Sequence, residues 1–182
     1  MNTHNAEKNT YVKKQITNAM LELLKEKELK KITVDEIAAR SCTGRVSFYR
    51  NFESKEEIIK KYITGLIFEW LQTNKDNFAK EKEMTGRDDE MLGNLFGHLH
   101  AHAELYKLLY ERGLIYILRD SMMELFGPKQ ADSNYSAYVS AFISGGLYSW
   151  AEEWIRRGMT ESKKEMTELL KLRPDFSAYS NT

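Results

Sequence analysis

Proline is scarce: two in 182 residues, with ten glycines spread along the chain. Both residue types interrupt helices, so their scarcity leaves room for long helices and makes strands the less expected element. One cysteine, Cys42, excludes an internal disulfide and fits a reducing cytoplasm, which is the expected compartment. No apolar run reaches the ~20 residues of a membrane span, so no membrane partner is expected. The polar opening Met1-Asn2-Thr3-His4-Asn5 does not read as a signal peptide. There is no glycine-rich phosphate loop, no GxSxG and no HExxH, and Cys42 lies outside any Cys/His setting. Neither enzymatic chemistry nor a cofactor is expected from such a chain.

The formal net charge of zero argues against a polyanion partner only until the chain is divided. Residues 1–62 hold 13 Lys/Arg against 9 Asp/Glu, net +4, and the remainder holds 14 against 18, net −4. A modestly basic module on an acidic body suits a selective DNA binder that does not coat its target. A chain of this length makes one large or two small domains.

The densest signal lies in residues 33–55. Thr33 can cap a helix and Glu36, three residues on, can reach back to it, while Ile37 and Ala38 supply the apolar face. The break falls at Ser41-Cys42-Thr43-Gly44, and the next helix carries Arg45, Val46, Ser47, Phe48, Tyr49 and Arg50. Ser54 and Glu57 repeat the capping pattern and restart the chain as a third helix. Two short helices joined by a tight turn, the second basic and aromatic, are the plan of a helix-turn-helix DNA reader. Cys42 is expected as a small half-buried turn residue rather than a redox sensor.

These residues also carry a resemblance. The run from Ile32 to Ala38, then Arg45-Val46-Ser47-Phe48-Tyr49-Arg50-Asn51-Phe52-Glu53-Ser54-Lys55 through Ile59, resembles the signature of the tetracycline-repressor (TetR) family of bacterial regulators, over about residues 9–62. Two positions depart from the family pattern: Cys42 stands where Gly is usual in the turn, and Gly44 where Ser or Thr usually caps the recognition helix. Gly is a tolerable cap. The resemblance implies an all-α fold, with a three-helix reader at 1–53 and a helical effector and dimerisation domain at 54–182, about nine helices in total. It implies DNA contacts from Thr33, Thr43, Arg45, Val46, Ser47, Tyr49, Arg50 and Lys55. Arg45, at the exposed start of the recognition helix, suits a guanine edge, and Tyr49 and Lys55 match positions that touch the DNA backbone.

Apolar spacing extends the helical reading along the rest of the chain. A first helix is expected from about Thr10 to Lys27. A long connecting helix follows from Ser54 to about Asn77, carrying Ile58, Ile59, Ile63, Ile67, Trp70 and Leu71. The charged stretch Lys80 to Asp89, with Gly86, reads as a loop. Helices then follow at about 90–102, 104–112, 114–126, 135–157 and 162–172, with loose ends before Asn9 and after Pro174. The many large side chains of the C-terminal half invite a pocket, and the family resemblance implies an effector site there. Phe96, Tyr106, Met122, Phe142 and Trp150 are its candidate lining, with plain core packing as the alternative for each. His98 and His102 share a helix face four residues apart, a spacing open to metal, but no third ligand falls in line and none is expected to bind.

In the penultimate helix, Tyr138, Ala141, Gly145 and Ser149 line one side, and Val139, Phe142, Gly146 and Trp150 an adjacent one. Adjacent glycines inside a helix cost about 1 kcal/mol each against Ala, which suggests that another backbone comes close. The stretch Ser140 to Trp150, then Glu153 to Ser162, resembles the C-terminal domain of regulators of dihydroxyacetone kinase, and dimerisation through the last two helices is what that resemblance implies. The expectation is a homodimeric regulator reading a palindromic operator in double-stranded DNA, a repressor released by a small-molecule effector. The alternative is a helical co-activator or adaptor that works through a protein partner without reading sequence.

Overall fold

The computed structural model describes residues 3–85 and 89–171. Among them it contains nine α-helices, one short 3-10 turn and no strand. The helices are α1 (Thr3–Glu26), α2 (Val34–Arg40), α3 (Arg45–Asn51), α4 (Lys55–Thr85), α5 (Asp89–Ala101), α6 (Ala103–Glu111), α7 (Tyr116–Phe126), α8 (Asn134–Arg156) and α9 (Lys163–Lys171).

Local chemistry accounts for several of their ends. Thr33 Oγ1 accepts from the Glu36 amide at 3.2 Å and Glu36 returns a carboxylate to the Thr33 amide at 2.9 Å, so α2 starts in a complete capping box. Before α4, Ser54 Oγ accepts from the Glu57 amide at 3.0 Å, and the Glu57 carboxylate takes the Glu53 amide, with a smaller contribution from that of Ser54. A further reciprocal pair, Ser162 with Glu165, starts α9, and the sequence reading did not single it out. Helix α8 ends at Gly158, whose φ of +86° is the left-handed geometry of a helix stop.

Two boundaries differ from expectation. Helix α4 continues past Asn77 to Thr85, so most of the charged stretch after Lys80 is helical and only residues 86–88, with Gly86, lie outside the described residues. Lys80, Glu81, Lys82, Glu83 and Met84 are strong helix formers, and charge alone does not stop a helix. Helix α1 begins at Thr3 rather than near Thr10. The tail after Pro174 lies outside the described residues.

One hydrophobic core runs through the whole body. Ile16, Ala19, Met20 and Leu23 of α1 meet Ile37 of α2, Phe48 of α3 and Ile58 and Ile59 of α4 to support the reader. Further along α4, Ile63 and Ile67 are fully buried with Phe96, Leu99, Tyr106, Leu118 and Met122. Helix α4 packs on α1 at one end and on α7 and α5 beyond. Two ties hold it to α7: Thr64 donates to Ser121 Oγ at 2.9 Å, and Lys60 pairs with Glu124 at 2.9 Å. Helix α9 lies so close to α5 that a β-carbon at Gly93 would stand 2.6 Å from Thr167 Oγ1.

Candidate DNA-binding interface

The turn between α2 and α3 is set by backbone hydrogen bonds. The Thr43 amide donates to Ala38 O at 3.0 Å and the Cys42 amide to Ala39 O at 3.3 Å, closing the end of α2 around a left-handed residue. That residue is Cys42, at φ +52°, where glycine is the usual occupant. Cys42 is exposed rather than half-buried. Ser41 is the buried member of the turn: its hydroxyl bonds to Ala38 O and to Thr43 Oγ1, the latter at 2.7 Å. Gly44 precedes α3 in extended conformation without any side-chain cap.

Helix α3 is held from inside by Phe48, which is buried and stacked edge-on against Tyr49 and at a tilt against Phe52. Asn51 Nδ2 closes the helix by donating to Ser47 O at 2.7 Å. Once Phe48 and Asn51 point inward, the helical period turns Arg45, Val46, Tyr49 and Arg50 outward. Val46 is 70 % and Tyr49 59 % exposed, large values for residues of this kind. Thr33 is exposed and Thr43 and Ser47 are half-buried on the flanks of the reader. The structure thus gathers Thr33, Thr43, Arg45, Val46, Ser47, Tyr49 and Arg50 around two short helices and one turn.

Lys55 is placed differently. Its ammonium donates to Leu29 O at 2.9 Å and to Ile32 O at 2.6 Å, tying the first residue of α4 to the segment after α1. Two of its three protons are thereby engaged inside the protein. Sequence spacing could not have indicated this, because the acceptors are backbone carbonyls more than twenty residues away.

The comparisons with known proteins fall on the same segments. A family model described as "Bacterial regulatory proteins, tetR family" matches residues 16–62, and one described as "Transcriptional regulator C-terminal region" matches residues 87–172. The chain belongs to the TetR family. It is a DNA-binding transcriptional regulator. No curated protein matches it. The second description is general, so the narrower likeness to regulators of dihydroxyacetone kinase gains no support from it. No helix among the described residues is long and apolar enough to cross a membrane.

In the C-terminal half of this TetR-family chain, the five candidate pocket residues do not converge. Phe96, Tyr106 and Met122 are fully buried in the core, whereas Phe142 is 82 % exposed on the outer face of α8. Phe142 is therefore not part of an interior pocket of the protomer, because the inward side of α8 is taken by Ser144, Leu147, Ala151, Trp154 and Ile155. Trp150 lines an open groove of ≈ 340 Å³ with Ser149, Glu153, Trp154 and Leu169. Tyr106 Oη is buried without a hydrogen-bond partner among the described residues, and burial pushes its pKa well above the usual phenol range. His98 and His102 stand with ring centroids 4.9 Å apart. Burial, with some contribution from His102, lowers the pKa of His98 to about 4. Among the described residues no three His, Cys, Asp or Glu side chains gather in a way that could hold a metal ion.

Proposed function

We propose that this chain is a homodimeric repressor that reads a palindromic operator through α3 and lets go when a small-molecule effector binds its C-terminal body. The observation that carries the reading is the outer face of α3. Arg45 offers donors suited to O6 and N7 of guanine, and Val46 an apolar surface suited to a thymine methyl. Tyr49 and Arg50 beside them, with Thr33, Thr43 and Ser47, are the expected backbone contacts. Lys55 belongs to the same set by position, with one free proton and its full charge to offer. In this reading residues 1–53 form the reader, residues 54–182 the regulatory body, and α4 is the link.

Assembly through α8 is supported by what that helix leaves uncovered. Tyr135, Tyr138, Phe142 and Ile143 are exposed along one side, together with Ala141 and Ser149. A β-carbon at Gly145 or Gly146 would meet nothing within 4 Å in the protomer, so neither glycine answers to a neighbour within its own chain. A second copy packed across these glycines accounts for both features. Effector control is supported by the unpartnered Tyr106 hydroxyl inside the core that also holds Phe96 and Met122. A ligand that bonded to it would displace no protein partner. Phe142 belongs with the assembly face in this reading, and Trp150 with the groove beside α9.

Selection of bound fragments from the host genome, followed by mobility shift over a range of salt, tests the reading. The expected outcome is one palindromic sequence that keeps its preference as salt rises and binds two protomers. Uniform shifts on all duplexes, or none, would sink it and leave the adaptor acting through a protein partner.

A further inference from the structure

Arg45 does not stand alone on the reader. Asp35, in the first turn of α2, sets its carboxylate against the Arg45 guanidinium, with Oδ1 3.2 Å from Nε and Oδ2 3.5 Å from Nη1. The Tyr49 hydroxyl adjoins the same guanidinium, and Tyr49 and Asp35 together strengthen its hold on the proton. The pair bridges the two helices of the reader. Its side chains are 60 % and 68 % exposed, and ion pairs that open to water add little to stability. A carboxylate here also repels the phosphates that a DNA binder must approach. The exposed pair itself adds little stability, and general DNA affinity is a reason against the carboxylate.

We propose that Asp35 is a specificity-determining residue: it aims Arg45 at a base edge and neutralises it toward phosphates, so that Arg45 aids binding only where a guanine accepts its remaining donors. The inference rests on the reading of DNA through α3. A guanidinium free to swing neutralises a phosphate on any sequence and raises non-specific affinity. Held by Asp35, it keeps its directional hydrogen bonds to O6 and N7 but loses much of that general attraction. Discrimination is a difference of affinities, and it grows when the wrong partner is bound less well. Asp35 also lies where a helix N-terminus favours an anion, but that role would affect stability and leave sequence discrimination alone.

The test titrates full-length protein against the selected operator and a scrambled duplex at several salt concentrations. Wild type is compared with Asp35→Asn, Asp35→Ala, Arg45→Ala and the combination of the last two. Both Asp35 variants should bind the scrambled duplex more tightly, with a log–log salt slope steeper by about 1 per protomer. Their operator-to-scrambled affinity ratio should fall about ten-fold. Adding Asp35→Ala to Arg45→Ala should not lower that ratio further. A ratio unchanged in both Asp35 variants overturns the proposal, even if their melting temperatures fall, since the carboxylate then serves only the helix end. An equal further loss in the Arg45→Ala background overturns it as well. A wild-type chain without operator preference, visible before any variant is tried, removes the DNA reading and this inference together.

Discussion

Cys42 shows how one residue type can oppose the backbone it occupies. Its φ of +52° puts a β-carbon in the left-handed region at a penalty of about 1 to 2 kcal/mol. Cys42→Gly removes that penalty and returns about 0.4 to 1 kcal/mol to the flexibility of the unfolded chain. The net expectation is a gain of up to about 1.5 kcal/mol, read as a melting temperature a few degrees higher. A lower melting temperature would mean that the thiol makes a contact worth more than the strain. His98 sets a pH dependence. The unfolded chain binds its proton near 6.5 but the folded chain only near 4, so acid favours unfolding and stability is lost as pH falls from about 6.5 to about 4. Glu36 and Glu153 are held near about 2, chiefly by Lys27 and Arg156, and their stabilisation is lost only as pH drops below 4.5. His98→Gln should therefore flatten the melting profile between pH 7 and 5 and leave the steeper acid fall in place. A profile unchanged by the substitution would assign that slope to another group.

Among the elements, α1 is gripped at its C-terminus from across the molecule. Arg112, the C-cap of α6, donates from Nε to Leu24 O and from Nη2 to Lys25 O, each at 2.7 Å. The last carbonyls of a helix lack partners of their own and favour a cation. This clamp joins the reader to the body at a second point besides α4. Arg112→Ala should destabilise the fold by about 1 to 2 kcal/mol, as expected for charged hydrogen bonds only partly shielded from water. It should also speed amide exchange in the last turn of α1 before other helices respond. Uniform exchange in the variant would show that the clamp is not a local restraint. Helix α4, at 31 residues, is long because nothing in its charged second half is a breaker.

At the scale of the whole molecule, the uncovered side of α8 makes assembly the sharpest expectation. At Gly145 a β-carbon meets nothing within 4 Å in the protomer, so on helix propensity alone Gly145→Leu should stabilise α8 by nearly 1 kcal/mol. Against a partner helix lying on Gly145, the same side chain should force the copies apart. Sedimentation should then give a folded monomer with undiminished helix content. A dimer of raised stability would move the interface away from Gly145.

The order of the helices, the caps of α2 and α4 and the reader were legible in the sequence because each depends on residues only a few positions apart. Thr33 with Glu36, Ser54 with Glu57 and the outward Arg45, Val46 and Tyr49 follow from a capping rule and a 3.6-residue period. Local signals could not rank Tyr106 against Phe142. Both are aromatic and in helical register, yet one is sealed in the core and the other is 82 % exposed on the outer face of α8. Which of them is buried depends on the helices that flank α6 and α8, a property of the assembled fold. The same holds for Lys55 on the carbonyls of Leu29 and Ile32, for Arg112 on the end of α1, and for Asp35 against Arg45. Lys55 and Arg112 reach acceptors far away in the chain through packing that buries apolar area, and apolar burial carries no memory of sequence distance. Asp35 and Arg45 are only ten residues apart, but they meet only once the turn has set α2 against α3.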